Sequence, residues 1–147
     1  MTGQVAIKKL NEKAIVPSYG TEYSAGADLY ACMDSAVTIQ PGEAYLVHTG
    51  LSMEIPEGYC GYLLPRSSTY KNFGIIATNS MGVIDHDYCG DDDIFGLAAY
   101  ALKDTVIPKD SRLCQFCIYK KPEAVEFEEV ETLGNKSRGG FGSTGTK

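Results

Sequence analysis

The sequence predicts an all-β protein, folded as a sandwich or a barrel. Short runs of β-forming residues recur along the chain and are separated by Gly, Pro and Asp, which is the spacing of strands and turns in such folds. No segment carries a long helical period. The stretch Val125-Glu-Phe-Glu128 alternates apolar and acidic residues, as a half-exposed strand does.

Six strands are predicted from these runs. In chain order they cover Val5 to Leu10, Ala44 to Thr49, Tyr59 to Leu64, Phe95 to Leu102, Leu113 to Tyr119 and Ala124 to Val130. Only Ser68 to Asn72 favours a short turn of helix. At 147 residues the chain is most simply one domain, long enough to bury about two thirds of its unfolded surface.

The charge balance limits the partners that the chain can take. A formal net charge of -6 argues against nonspecific nucleic-acid binding, which depends on clustered Lys and Arg. An anionic ligand would therefore need a local pocket of donors. No apolar run approaches the roughly 20 residues that span a membrane, and the N-terminus MTGQVAIKKL lacks a signal-peptide core. We therefore expect a cytoplasmic protein with no membrane partner.

Five cysteines, an odd number without framework spacing, predict reduced thiols rather than a disulfide scaffold. Cys114 and Cys117 form a C-x-x-C, which is half of a possible zinc site. However, the run Arg112 to Tyr119 looks like a strand, on which residues three apart point to opposite faces. With no second pair, and only His48 and His86 as histidines, structural zinc is disfavoured.

The stretch Gly82-Val-Ile-Asp-His-Asp-Tyr-Cys-Gly90 concentrates chemically useful residues. Val83 and Ile84 have the character of the end of a buried strand, and the aspartates and glycine after them have the composition of a hairpin tip. Such a rigid turn presents Asp85 and Tyr88 together. We expect Asp85 to act as a general base on a water or hydroxyl, and Tyr88 to form a floor for a sugar or base. The competing interpretation is a solvated acidic turn with a packed tyrosine.

The segment Pro65-Arg-Ser-Ser68 places one guanidinium and two hydroxyls at the end of a predicted strand. Arg66 offers a rigid fork that binds phosphate through two hydrogen bonds, and Ser67 and Ser68 add uncharged donors. This composition favours a phosphate site. The alternative is a solvated surface arginine.

The tail from Leu133 to Lys147 has too many glycines and too little apolar surface to fold by itself. We therefore expect a β-barrel domain over residues 1–133 and a flexible arm over residues 134–147. The alternative is a disordered terminus without a role.

The composition of this arm suits a lid over a nucleotide. The amides of Gly140 and Gly142 and the hydroxyls of Ser143 and Thr144 can wrap a polyphosphate. Phe141, flanked by glycines, suggests an aromatic ring that stacks on a base. The phosphate-binding cation is either Arg138, which we favour, or Lys136.

Five segments, taken in order, resemble the five motifs of the homotrimeric dUTPases. They are Ala25-Gly-Ala-Asp-Leu29, Pro65-Arg-Ser-Ser68, Gly82 to Gly90, Arg112-Leu-Cys-Gln115 and Arg138-Gly-Gly-Phe-Gly-Ser-Thr-Gly145. The resemblance spans nearly the full chain. It implies the β-clip, a distorted jelly-roll barrel, and the hydrolysis of dUTP to dUMP and pyrophosphate.

The resemblance also implies roles for individual residues. Asp85 would activate a water for in-line attack on the α-phosphorus, and the backbone of Gly82, Val83 and Ile84 would lie beside the substrate. Asn79, six residues before Asp85, would contact the uracil with its amide.

Other roles implied by the resemblance concern the phosphates. Gln115 would contact phosphate, and Asp28 would meet Mg²⁺ indirectly, through its bound waters. The Mg²⁺ ion itself would be held mostly by the phosphates and water. The chain would assemble as a homotrimer with shared active sites.

Two other functions remain open on the same fold. A dCTP deaminase-like enzyme shares some of these motifs, but the intact glycine-rich arm argues against it. A noncatalytic nucleotide sensor or protein-binding trimer would be expected to lose the base, whereas Asp85 is present.

Overall fold

The computed structural model describes residues 3–140, which form twelve strands and one short helix. The all-β prediction is therefore confirmed. The strands are β1 (Ala6–Lys9), β2 (Ser18–Tyr19), β3 (Ala27–Tyr30), β4 (Val37–Ile39), β5 (Ala44–His48), β6 (Leu51–Glu54), β7 (Tyr59–Pro65), β8 (Ile75–Ala77), β9 (Gly82–Ile84), β10 (Gly96–Ala101), β11 (Thr105–Ile107) and β12 (Arg112–Lys120), and the helix is α1 (Thr69–Phe73). Within residues 3–140, no helix has the length and apolar character that crossing a membrane requires.

The strands pair antiparallel and form four sheets. The largest has the order β2-β3-β12-β7-β9, with β12 at its centre. A second sheet has the order β5-β10-β8, and the pairs β1-β6 and β4-β11 complete the fold. In this sheet β12 is therefore paired on both sides, whereas β9 is an edge strand.

One contiguous apolar core receives side chains from all four sheets. In β10 the alternation is regular, because Leu97, Ala99 and Ala101 are buried while their neighbours are half-buried. Strand β12 is different, since both of its faces contribute: the side chains of Leu113 and Cys114 are fully buried. The strand therefore fixes the position of Gln115, the polar residue that follows Cys114.

Five of the six predicted strands are confirmed, as β1, β5, β7, β10 and β12, and the helical turn is confirmed as α1. The sixth, residues 124–130, is wrong, because no strand follows Lys120 in the described part of the chain. Val125 and Phe127 are 69% and 93% exposed. Alternating residues form a strand only where a sheet edge and an apolar face receive them, and in the single chain residues 121–140 are exposed throughout.

The stretch from Gly82 to Gly90 is also partly corrected. The strand and the turn are present, but Val83 is 56% exposed because β9 lies at a sheet edge. The predicted hairpin is wrong, since β9 pairs with β7 and β10 pairs with β5 and β8. The turn at Asp85 therefore connects two different sheets.

Candidate active site

Most predicted site residues of the described chain line one of two cavities. The arginine cavity, of about 290 Å³, lies at the ends of β3, β7 and β12 and is lined by Gly20, Ser24, Ala25, Gly26, Asp28, Arg66, Ser67, Arg112 and Gln115. The tyrosine cavity, of about 270 Å³, lies between β9 and β10 and is lined by Leu46, Leu63, Asn79, Gly82, Val83, Ile84, Tyr88 and residues 94–98. The two linings share no residue.

Strand register assembles the arginine cavity. Gln115 of β12 lies opposite Asp28 of β3 on one side and opposite Leu64 of β7 on the other. Residues opposite each other on adjacent strands place their side chains on the same face, so the carboxylate and the amide are neighbours. Arg66 follows the end of β7 and joins them there.

Gln115 is held in place from two directions. Its Nε2 donates to the carbonyl oxygen of Pro65 at 3.1 Å. A Cβ added to Gly26 would lie only 2.8 Å from Oε1 of Gln115, so the glycine of the Ala25 to Leu29 motif leaves the room that this amide occupies. The small residue at position 26 therefore permits a close approach between the backbone there and the Gln115 side chain.

Asp28 lies between two guanidinium groups. Its Oδ1 forms an ion pair with Arg66, 2.7 Å from Nε, and its Oδ2 lies 3.5 Å from Nη1 of Arg112. The Asp28 side chain is only 10% exposed, whereas that of Arg112 is 55% exposed. Two cations and one carboxylate leave this cluster with a positive charge, and the Nη groups of Arg66 remain available. The cavity is therefore suited to an anion such as a phosphate.

A β-bulge directs Arg112 into this cluster. The register between β12 and β3 shifts between Arg112 and Cys114, so Leu113 is an extra residue in the strand. Bulges bend a strand and re-aim its side chains. Leu113 enters the core while Arg112 reaches Asp28. Arg112 is the site residue that our sequence analysis missed, although it begins the fourth motif; its charge beside a strand end was the available signal.

Thr69 fixes the loop that carries Arg66 and Ser67. Its hydroxyl accepts a hydrogen bond from the backbone N–H of Arg66 at 2.8 Å and donates to the carbonyl of Leu113 at 3.1 Å. Thr69 is 1% exposed; its bond to Leu113 is buried and its bond to Arg66 is partly buried. Ser67 lines the cavity, whereas Ser68 lines neither cavity and its side chain does not cap α1.

The donor set does not form a protein cage for a metal. Within residues 3–140, no three His, Cys, Asp or Glu side chains are grouped as metal ligands. Asp28 is the one carboxylate among the residues that line the arginine cavity, and both of its oxygens face guanidinium groups. Mg²⁺ readily keeps several waters and binds through substrate phosphates. These residues fit an ion of that kind, with Asp28 reaching it only through water.

The C-x-x-C pair lies directly behind this cavity and carries free thiols. Burial raises the pKa of Cys114 to about 12, with a further contribution from the nearby Asp28 carboxylate. Burial also raises the pKa of Cys117. Both side chains are buried, and they pack as small apolar residues of the core.

In the tyrosine cavity, the Tyr88 ring is fixed at both ends. Its hydroxyl donates to the carbonyl of Ile94 at 3.0 Å, and its ring packs against Phe95 with centroids 5.9 Å apart. Phe95 is 1% exposed and packs in turn against Phe116. The ring is therefore a rigid wall of the cavity, as a floor for a sugar would need to be.

The opposite wall is the edge strand β9. Because β9 pairs only with β7, one row of its backbone N–H and C=O groups has no partner strand. Such groups can recognise the donors and acceptors of a planar base. Asn79, in the turn after β8, adds a side-chain amide to the same cavity.

Asp85 follows β9 directly. Its side chain is exposed, lines neither cavity, and makes no hydrogen bond or ion pair with another described residue. Its carbonyl accepts a hydrogen bond from the N–H of Tyr88 at 3.2 Å, which closes the turn. The carboxylate is thus ionisable, solvated and mounted on an ordered backbone beside the tyrosine cavity.

The tail residues are not brought to either cavity. Lys136, Arg138 and Gly140 are exposed and line neither one. The predicted contacts of Phe141, Gly142, Ser143 and Thr144 concern positions outside the described residues.

The family comparison matches almost the whole chain: a sequence model of the dUTPase family covers residues 12–145. Among curated relatives, the SPbeta prophage-derived deoxyuridine 5'-triphosphate nucleotidohydrolase YosS of Bacillus subtilis (strain 168) is 58% identical over 120 residues, which cover 82% of this chain and 83% of that protein.

Solved phage enzymes share the fold. A dUTPase of Staphylococcus bacteriophage 80alpha with dUpNHpp aligns with a TM-score of 0.76 at 24% identity, covering 99% of this chain and 100% of that one. A dUTPase variant from phage phi11 of S. aureus, which coordinates a structural Mg(II) ion, aligns with a TM-score of 0.75 at 21% identity, covering 89% of this chain and 99% of that one.

Proposed function

Because the chain belongs to the dUTPase family, we infer that it is a dUTP diphosphatase, which hydrolyses dUTP to dUMP and pyrophosphate. The observation that carries this inference within the molecule is the pairing of two cavities of different chemistry. One offers two guanidinium groups, an amide and a hydroxyl to phosphates, and the other offers an aromatic wall and a strand edge to a nucleoside.

The reaction needs a base and accurate positioning. Asp85 removes a proton from a water, whose oxygen forms a new bond to the α-phosphorus in line with the leaving group. The bond from that phosphorus to the α,β-bridging oxygen breaks, and pyrophosphate leaves with the electron pair. The exposed Asp85 carboxylate, which has no ionic partner among the described residues, supports this role.

The nucleoside is proposed to bind in the tyrosine cavity. Asn79 and the free edge of Gly82, Val83 and Ile84 recognise the uracil, and the fixed ring of Tyr88 packs under the deoxyribose. The rigidity of that ring supports this assignment, since a wall held at both ends cannot move aside to admit a ribose 2′-hydroxyl.

The phosphates are proposed to bind in the arginine cavity. Arg66, Ser67 and Gln115 meet them directly, with Ser68 nearby, and the positive charge of the cluster stabilises the charge that develops on pyrophosphate. When Mg²⁺ is bound to the phosphates it neutralises part of the same charge. Asp28 holds Arg66 in place, and it would meet a bound Mg²⁺ only indirectly, through water.

The division of the chain is proposed as a barrel domain over residues 1–133 and an arm over residues 134–147. Arg138 or Lys136, the amide of Gly140 and the residues from Phe141 to Thr144 would close over the bound triphosphate. The uniform exposure of residues 121–140 supports an arm that does not belong to its own barrel.

A homotrimer with shared active sites is proposed as the working assembly. The nucleoside and phosphate residues line separate cavities of one chain, and Phe127 and Leu133 are 93% and 81% exposed. Apolar side chains this exposed are available for contact with a partner chain. Neighbouring copies would cover them and bring the two kinds of cavity together.

Chromatography of the products tests the function directly. Incubation with dUTP and, separately, with dCTP should yield dUMP and pyrophosphate from dUTP alone. A dCTP deaminase-like enzyme would instead release ammonia with dUTP or dUMP. A noncatalytic sensor would bind the nucleotide without turnover, and either result would overturn the assignment.

A further inference from the structure

His86, the residue after Asp85, is anchored to a different part of the fold. Its Nδ1 lies 2.6 Å from the backbone carbonyl oxygen of Ile55. A carbonyl oxygen only accepts hydrogen bonds, so Nδ1 carries the hydrogen and donates. Both the neutral imidazole with its proton on Nδ1 and the imidazolium make this bond.

The acceptor is one of the most firmly held parts of the molecule. Ile55 follows β6, its side chain is 0% exposed, and it belongs to the main core. The carbonyl therefore has little freedom to move, and a side chain bonded to it is tied to the core rather than to a surface loop.

The backbone at Asp85 has few other restraints. Strand β9 has only three residues and is paired on one side. Beyond it, the turn is closed by the bond from Tyr88 N–H to the Asp85 carbonyl, and the Tyr88 hydroxyl is bonded to Ile94. Before the turn, the side chain of Ile84 packs against the core. Within the turn, the bond from His86 is the hydrogen bond that ties its first half to the core among the described residues.

The side chains of His86 and Asp85 lie in different surroundings. His86 is half-buried and lines a broad open cavity with Glu54 and Glu57, whereas Asp85 is exposed. His86 does not line the tyrosine cavity or the arginine cavity. Its inward side chain therefore acts on its neighbour through the backbone and not by touching a nucleotide.

We propose that His86 is a positioning residue for the hydrolysis reaction: its Nδ1–H bond to Ile55 fixes the backbone from which the Asp85 carboxylate reaches the attacking water. This inference rests on the proposed function and on the role of Asp85 within it. Misplacing a catalytic group by about 1 Å is enough to lower a rate on the order of 100-fold.

Two substitutions separate the hydrogen bond from the space that the ring fills. His86→Leu fills part of the space of the ring with an apolar side chain and removes the donor, whereas His86→Asn keeps an N–H donor close to the position of Nδ1. We expect kcat of His86→Leu to fall about 10- to 100-fold with KM for dUTP within about twofold of the native value. His86→Asn should recover most of kcat. Glu57→Gln, in the same open cavity, is the matched control and should leave kcat unchanged.

A double variant tests whether His86 acts through Asp85. If it does, Asp85→Asn combined with His86→Leu should be no slower than Asp85→Asn alone, since the positioned group is already lost. Multiplied losses in the double variant would overturn the proposal. So would native kcat in His86→Leu, or a loss that His86→Asn fails to restore.

The native protein, assayed in parallel, separates the two levels of inference. If the native chain turns over dUTP and His86→Leu has the same kcat, only the role of His86 is refuted. Absence of dUTP turnover in the native chain refutes the proposed function, and the role of His86 falls with it.

Discussion

Asp85 combines an exposed carboxylate with an ordered backbone, and this combination is what a general base for water attack requires. Full burial would disfavour the charged form, and a nearby cation would compete with the water for its oxygens. Neither condition holds among the described residues. Asp28 shows the opposite environment, buried between Arg66 and Arg112, and is suited to hold other groups in place.

The substitution Asp85→Asn is expected to lower kcat by about 10²- to 10⁴-fold, because an amide cannot accept the proton of the water. Binding of a nonhydrolysable dUTP analogue should persist, since the amide nearly preserves the shape of the carboxylate. Steady-state kinetics and calorimetric titration measure the two quantities. Retention of half of the native kcat would remove Asp85 from the role of base.

At this scale, the types of the site residues could be predicted from the sequence but their pairings could not. The chemistry of Asp85, Tyr88 and Gln115 is visible in their motifs. The ion pair between Asp28 and Arg66 joins residues far apart in sequence, and it depends on the register of β3, β12 and β7. Without that register, the sequence predicts a separate partner for each residue: water bound to Mg²⁺ for Asp28 and phosphate for Arg66.

Strand β12 is the element that organises the phosphate side of the site. It pairs with β3 and β7, carries Gln115, and through its bulge directs Arg112 toward Asp28. It also accepts, at the carbonyl of Leu113, the hydroxyl of Thr69. The loop after β7 and the strand β12 are thus joined by a buried bond.

Replacing Thr69 tests that link. Thr69→Val removes the hydroxyl with little change of shape and leaves the N–H of Arg66 and the carbonyl of Leu113 without their partner. Each buried polar group left unpaired costs about 1–3 kcal/mol, so the free energy of unfolding should fall by about 2 kcal/mol or more and KM for dUTP should rise. Thr69→Ser, which keeps the hydroxyl, is the control. Denaturant unfolding measures the free energy of unfolding of both variants. A native value for Thr69→Val would show that these two hydrogen bonds do not stabilise the fold.

The tail is the second element whose role can be isolated. Truncation after Leu133 removes no strand of the described barrel, so the shortened chain should keep its oligomeric mass and its melting temperature. It should lose most of its kcat/KM, because the ordering of a glycine-rich arm over the triphosphate completes the site. Turnover close to native would refute the arm as a lid. If the truncated chain no longer forms the oligomer, the tail contributes to subunit assembly instead.

Element prediction succeeded where strands were long and failed where they were short. Strands β5, β7 and β12 have five to nine residues and a clear apolar pattern. Strands such as β2 and β4 have two or three residues, too few to display a period of two. The segment 124–130 failed for the reverse reason: its alternation is clear, but the single chain offers it no edge to pair with.

At the scale of the whole molecule, the cavities proposed for the nucleoside and for the phosphates are separate in one chain. A cyclic assembly of identical chains would solve this by placing the tyrosine cavity of one copy beside the arginine cavity of another. The proposed homotrimer would thus be a requirement of catalysis.

Mixing two inactive variants tests shared sites. If Asp85 and the arm of one site come from different copies, each trimer that contains both Asp85→Asn chains and Leu133-truncated chains should regain about one third of its native sites, that is, one site of the three. Co-expression with two affinity tags isolates the mixed trimers, and dUTP turnover per site is then measured. If each site is built by one chain, the mixture stays as inactive as its parts.

In the proposed reaction, a water activated by Asp85 attacks the α-phosphorus of dUTP. Hydrolysis in ¹⁸O-labelled water, followed by mass spectrometry of both products, tests this most directly, because the water oxygen stays on the phosphorus that it attacks. We predict one ¹⁸O atom in dUMP and none in pyrophosphate, at a rate that the Asp85→Asn substitution suppresses. Label in pyrophosphate, or labelled dUMP formed at an undiminished rate by Asp85→Asn, would contradict the account.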